Sequence, residues 1–169
     1  MSSIEHVVIL KASPVKVWSV LTNLDDYRHW DPLVQISGTP RRGAVINYSA
    51  EVKGLANPLI ATANVTLFKR PEEFAWSTGI PGLLQLEEAY TISPATSGSQ
   101  LVHQLRFSGL LAGIWCHVMK RRLLRSMIRA DKSLEGRLDQ LARTPTSTRT
   151  MKGVKKPPLP SGSSRRKRR

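Results

Sequence analysis

The sequence predicts an α+β domain in which a curved antiparallel sheet of about seven strands wraps around a long C-terminal helix, with two short helices after the first strand. Three observations predict it. Between Ala12 and Pro32 a strand end, a helix start and a helix stop follow one another closely. From Leu33 to Gly109 short apolar runs alternate with Gly/Pro turn signals, the spacing of hairpin-linked strands. From about Leu111 or Trp115 to Leu141, apolar residues recur at three- and four-residue steps, the period of one helix face.

The elements follow in order. Ile4–Ala12 alternates, with Val7, Ile9 and Lys11 on one face and Val8 and Leu10 on the other. Ser13 suits a helix N-cap and Pro14 the first helical position, and Val17, Trp18 and Leu21 then fall on one stripe. A second short helix starts at Asn23 or Leu24, with Asp25 and Asp26 near its positive end, and Pro32 stops it. The clearest later strands are Ala44–Val52, Ile60–Lys69, Phe74–Thr78, Gln85–Ser93 and Gln100–Ser108. The long helix turns Met119, Leu123, Met127, Ala130, Leu134, Leu138 and Leu141 to the sheet, and Arg121, Arg125, Arg129 and Lys132 away from it. From Trp115 to Leu141 it would measure about 40 Å, enough to cross the whole domain.

The composition divides the chain. Residues 1–142 read as one folded domain with a net charge of +4, whereas residues 143–169 carry +10 with no acidic residue. That second segment is rich in Ser, Thr, Pro, Lys and Arg, cannot bury enough surface to offset its ordering entropy, and reads as a disordered basic tail. One cysteine, Cys116, excludes an intrachain disulfide. No signal peptide or spanning segment is recognisable, so the expectation is a soluble, cytoplasmic chain. His6, His29, His103 and His117 share no metal-ligand spacing, and neither a phosphate loop nor a nucleophile elbow occurs, so no metal and no cofactor is expected.

Particular residues resemble a known superfamily. Ala12-Ser13-Pro14 with Val17-Trp18, Tyr27 with Trp30-Asp31-Pro32, and Phe107-Ser108-Gly109-Leu110-Leu111 are similar to the first helix start, second helix and strand-to-helix junction of START-like (SRPBCC) helix-grip proteins, the polyketide cyclase/dehydrase-like proteins among them. The resemblance covers roughly residues 3–142 and implies a ligand cavity between sheet and helix. It also marks two departures. Many relatives pair a His with an acid two residues on in the last strand, where this chain has His103 and Leu105. Many carry Gly-Glu-His on the penultimate strand, where this chain has Leu86-Glu87-Glu88.

With only ten Phe, Tyr and Trp residues and a methionine-containing helix stripe, the interior is expected to remain partly open. Its expected lining is Leu101, His103, Leu105 and Phe107 from one face of the last strand, Tyr48, Trp76 and Tyr90 from other strands, and Trp115, Met119, Leu123 and Met127 from the helix. His103 fits two readings, a proton-moving group in a cavity or a core histidine satisfied by a neighbour. Glu88 pairs with it if both point inward; Glu87 and Glu88 must face opposite sides, which also suits a surface acidic pair. Trp18, Tyr27 and Trp30 read as packing residues or as a gate.

Three functions stay open at this point. The first is binding of a small apolar ligand such as a lipid, isoprenoid or polyketide-like aromatic. The second is a cyclase or dehydratase using His103 with Glu88 or Tyr90. The third is an interaction protein whose Arg165, Arg166, Lys167, Arg168 and Arg169 contact nucleic acid or an anionic membrane weakly and without specificity. The last run also suits a merely solvated tail. Oligomeric state is not written in the sequence.

Overall fold

The computed structural model describes residues 2–31, 34–50 and 57–144. The described residues form a seven-stranded antiparallel sheet in the order β1-β7-β6-β5-β4-β3-β2. Its strands are β1 (Ser2–Leu10), β2 (Val34–Ser37), β3 (Val45–Ala50), β4 (Leu59–Lys69), β5 (Glu73–Ile80), β6 (Leu84–Ala95) and β7 (Gly98–Ser108). Between β1 and β2 run α1 (Pro14–Leu21), a single 3-10 turn at Leu24–Asp26 and α2 (Tyr27–Trp30); α3 (Ala112–Arg143) closes the fold. This is the α+β helix-grip arrangement.

Local chemistry accounts for the elements. Pro14 opens α1, and Ser13 caps it through its backbone carbonyl, which accepts from the Lys16 and Val17 amides; its hydroxyl takes no part. Val17, Trp18, Val20 and Leu21 are buried, one stripe of the helix. In β1 the inward set is Ile4, His6, Val8 and Leu10, while Val7 and Ile9 face solvent. The short β2 is not among the clearest predicted strands; four residues offer too little alternation to stand out. A bulge between Val65 and Leu67 interrupts the β4–β5 ladder and adds local bend. At the start of β7, Gly98 has a φ of +139°, and a Cβ there would meet the Leu10 carbonyl oxygen at 2.1 Å. Only glycine lets that hairpin pass so close to the end of β1.

The interior contains two apolar clusters. The larger joins α1 and α2 to the sheet through Leu10, Trp18, Leu21, Tyr27, Phe74, Trp76, Tyr90, Leu101, Leu134 and Leu138. The smaller gathers Ile4, Leu105, Phe107, Ala112, Cys116 and Met127 under the first half of α3. Within the larger one, Trp18, Phe68, Phe74, Trp76 and Tyr90 form a continuous chain of ring contacts with centroids 5.0–6.2 Å apart. Half of the ten aromatic residues are therefore concentrated over the centre of the sheet.

Phe74 sits at the middle of this ring chain and is fully buried. Phe74→Ala is expected to lower unfolding stability by about 3–5 kcal/mol, measured as a shift in the urea midpoint at unchanged slope. A loss under about 1 kcal/mol would mean the rings repack around the gap.

Candidate functional site

Strand register assembles the site. His6 on β1 lies opposite His103 on β7, His103 opposite Tyr90 on β6, and Tyr90 opposite Phe74 on β5. The adjacent row on the same face is Ile4, Leu105, Glu88 and Trp76. Because side chains alternate, Glu88 and Tyr90 share the inward face of β6 while Glu87 takes the other, where it meets Arg106 at 2.9 Å.

Asp131 descends onto this row from α3 and is 2% exposed. Its Oδ2 accepts from His6 Nδ1 at 2.6 Å, and its Oδ1 from His103 Nδ1 at 2.9 Å. The other His103 nitrogen, Nε2, donates to Glu88 Oε1 at 3.1 Å, and the Tyr90 hydroxyl donates to the same oxygen at 2.7 Å. The Tyr90 ring stacks on the His103 ring with centroids 4.3 Å apart. The result is one buried relay, His6–Asp131–His103–Glu88–Tyr90.

Both nitrogens of His103 face carboxylate oxygens, which only accept, so the ring is an imidazolium. Burial alone would pull its pKa down; the hydrogen bonds to Asp131 and Glu88, and the charges of both, outweigh burial and raise it from 6.5 to about 9. The Tyr90 phenol is pushed up by burial and then by Glu88, and burial likewise raises Tyr27 and Tyr48, with Glu88 and Asp31 adding to it. All three stay protonated at neutral pH. Glu88, Asp31 and these phenols thus lie within electrostatic reach of one another on the β3–β6 side of the relay. Tyr27 donates to the Leu21 carbonyl at 3.0 Å and packs against Trp30 at 4.5 Å. Trp30 Nε1 is buried and has no hydrogen-bond partner among the described residues.

The expected lining residues divide on either side of the relay. Leu101, Trp76 and Tyr90 are buried in the larger cluster, with Tyr48 half-buried at its margin. Leu105, Phe107 and Met127 are buried in the smaller one, with Leu123 packed against it and Met119 half-buried. Trp115 does not line the interior: Ala112 and Cys116 take the inward positions of that turn, so Trp115 rotates outward and is 46% exposed. An open pocket of about 250 Å³ lies away from the relay, where Leu10, Ala12 and Lys16 meet Leu138 and Leu141 at the far end of α3. Arg165, Arg166, Lys167, Arg168 and Arg169 lie outside the described residues, as does Pro32.

Sequence reasoning missed His6 and Asp131. It placed Ala130 on the sheet-facing stripe, but Met127, Leu134 and Leu138 are the buried neighbours, and Asp131 fits that four-three-four spacing better. A lone acid on a helix that is otherwise basic up to that point was the available signal. His6 had none, because only strand pairing places it beside His103. Among the described residues no group of His, Cys, Asp and Glu could hold a metal ion.

A seven-stranded antiparallel sheet gripping one long helix defines a class of proteins rather than one activity. The family model described as "Polyketide cyclase / dehydrase and lipid transport" matches residues 1–144, and the chain belongs to this START-like (SRPBCC) family. Among solved structures it is similar to the Zhui aromatase/cyclase of a Streptomyces species, at 17% identity over 85% of this chain and 96% of that one, with a TM-score of 0.68. A START superfamily protein of Mycobacterium smegmatis is also similar, at 17% identity over 82% and 98%, TM-score 0.64. A Thermus thermophilus protein matches at 14% identity over 83% and 99%, TM-score 0.65. At these identities the likeness establishes the fold alone. No curated protein matches the chain by sequence.

Removing Asp131 strands the buried imidazolium and half-buried His6. Asp131→Ala is expected to cost about 3–5 kcal/mol at neutral pH, read from urea unfolding, and to lower the His103 pKa in NMR titration. An unshifted His103 would remove Asp131 from the relay. The raised folded-state pKa also makes stability depend on pH. The contribution is fully present below the unfolded value of about 6.5 and is lost as pH rises through about 9, a total of roughly 3 kcal/mol. Unfolding midpoints should therefore fall between neutral pH and pH 9 to 10, and His103→Gln should flatten that slope.

Proposed function

We propose that the domain binds a small, largely apolar molecule carrying a hydroxyl or carbonyl group, on the β3–β6 side of the relay. Lipids, isoprenoids and polyketide-like aromatics are the matching classes. The observation that carries this reading is the buried Trp30 indole N–H, a donor without a partner among the described residues, in an aromatic setting next to Tyr27. An orphaned buried donor costs about 1–3 kcal/mol, and a ligand oxygen would recover it. Glu88 supports the same reading. Tyr90 and His103 both donate to its Oε1, so Oε2 is the oxygen available to accept from a ligand hydroxyl. Trp76 lies opposite Glu88 in the sheet and Tyr48 sits at the half-buried margin, offering flat apolar surface.

The family's double description leaves carriage and cyclisation as the two branches. Carriage is favoured here, because a proton-moving His103 needs a ring nitrogen within reach of substrate. Both of its nitrogens are held by carboxylates, and its side chain is 3% exposed. In this reading His103 positions Glu88 and leaves ligand contact to Glu88, Tyr48 and Trp30. A cyclase of this family would have to draw its acid or base from Glu88 or Tyr90 instead.

The test is direct titration of the full chain with oleate, farnesol and a hydroxylated anthraquinone, followed by tryptophan fluorescence, together with native mass spectrometry of the protein as purified. Saturable binding of at least one probe is expected, weakened about tenfold by Glu88→Gln, the loss of one charged hydrogen bond. Absence of any bound or bindable apolar compound would overturn the proposal. Turnover of a polyketide-like probe that survives His103→Gln but not Glu88→Gln would move the assignment to the enzymatic branch.

A further inference from the structure

One end of the molecule presents apolar side chains to water. The β5–β6 turn and the start of α3 are clamped together, since the Leu110 amide donates to the Gly82 carbonyl and the Leu111 amide to the Leu83 carbonyl, both at 3.0 Å. Gly109, at a φ of +102°, allows this approach, as a Cβ there would meet the Leu83 backbone at 2.6 Å. The clamp gathers Leu83, Leu110, Leu111, Ile114, Trp115 and Val118 at one corner, each between 41% and 85% exposed. This is a contiguous patch rather than scattered apolar residues.

The charges around it are of one sign. Between residues 112 and 130, α3 carries five basic residues and no acidic one. At 100° per residue, Arg121, Arg122, Arg125 and Arg129 continue the same outward face that Ile114, Trp115 and Val118 begin. All four arginines are exposed. An apolar end with an indole, followed along one helix face by arginines, has the make-up of an element that lies in a lipid–water interface.

We propose that this face docks on the surface of an anionic lipid bilayer. Leu110, Ile114 and Val118 enter the acyl boundary, Trp115 sits at headgroup depth, and Arg121, Arg122 and Arg125 meet lipid phosphates. A second copy of the chain is the poorer occupant, because a two-fold contact through this patch would bring the arginine faces of both copies together. The basic run 165–169 would add electrostatic attraction to the same surface, and durable attachment generally needs two such signals. The inference does not depend on the ligand-binding proposal, since it uses none of the same residues.

Trp18, Trp30 and Trp76 are already buried, so a blue shift on adding vesicles is assigned to Trp115, and Trp115→Phe should abolish it. Vesicles of phosphatidylcholine with one-quarter phosphatidylglycerol should sediment the protein and shift its emission to the blue; phosphatidylcholine alone should do neither. Ile114→Ser with Val118→Ser, both at exposed positions and therefore compatible with folding, should weaken partitioning at least about tenfold and abolish the blue shift. Replacing Arg121, Arg122 and Arg125 by Ala should weaken it by about fivefold per charge, on the order of a hundredfold together. Circular dichroism would verify that each variant is folded. Three results would overturn the proposal: binding without a blue shift, which assigns attraction to the tail alone; undiminished binding of the Ile114/Val118 variant; or concentration-dependent self-association that shields Trp115 from acrylamide without lipid.

Discussion

The structure depends on one carboxylate. Asp131 ties α3 to the sheet by bridging His6 and His103, and it stands where the two apolar clusters meet. On each element the polar residue separates members of the two: Ile4 from Leu10 on β1, Leu105 from Leu101 on β7, Met127 from Leu134 on α3. The relay is therefore a polar seam through the core. Apolar contacts alone would tolerate sliding of a 32-residue helix along a sheet, because one leucine replaces another at modest cost. A slide of one turn, about 5.4 Å, would leave Asp131 against leucine and the Nδ1 of both histidines without its acceptor. Well-packed apolar side chains of the same volume could match the seam in stability, but they would not make every other register expensive.

This constraint also shapes the candidate site. His103 cannot turn, because stacking on Tyr90 and two carboxylates hold its ring from three sides. Glu88 is held in turn by His103 and Tyr90, so its position is set before any ligand arrives. That is the condition under which a buried carboxylate recognises a hydroxyl without a reorganisation penalty. Burial first, and then the charge of Glu88, holds the nearby tyrosines in the phenol form. Two of their hydroxyls are already committed, Tyr90 to Glu88 and Tyr27 to the Leu21 carbonyl.

The fold was largely legible because its signals are local. Ser13-Pro14, the stop near Pro32, the Gly/Pro turns and the long apolar period each depend on a few neighbouring residues, and β2 was indistinct for lack of length. The site was legible in half. His103 and Glu88 stood out as polar residues on strands with an apolar face. Their partners did not, because His6 and Asp131 meet His103 across 97 and 28 positions of chain, through register and helix rotation. A one-position error in the helix stripe, Ala130 for Asp131, hid the central group. The same uncertainty of rotation placed Trp115 inside. Composition carries no information about clustering, so the convergence of Trp18, Phe68, Phe74, Trp76 and Tyr90 was not legible.

Two halves of α3 follow different rules, and the difference has a physical consequence. From Asp131 onward the helix is tied down: Leu134 and Leu138 are buried, and Arg137 grips Asp26 with Nε at 3.1 Å and Nη2 at 2.9 Å. Its first turns have no side-chain cap, no acid near the positive end, and apolar residues on the outer as well as the inner face. Local preferences contradicted at one place are the usual mark of a second partner. The high pI, which the composition assigns mostly to the tail, therefore has a folded component concentrated where the helix is least committed to its own sheet. Because α3 is one continuous helix from Ala112 to Arg143, the same element that carries this outward apolar face also supplies the seam's central carboxylate.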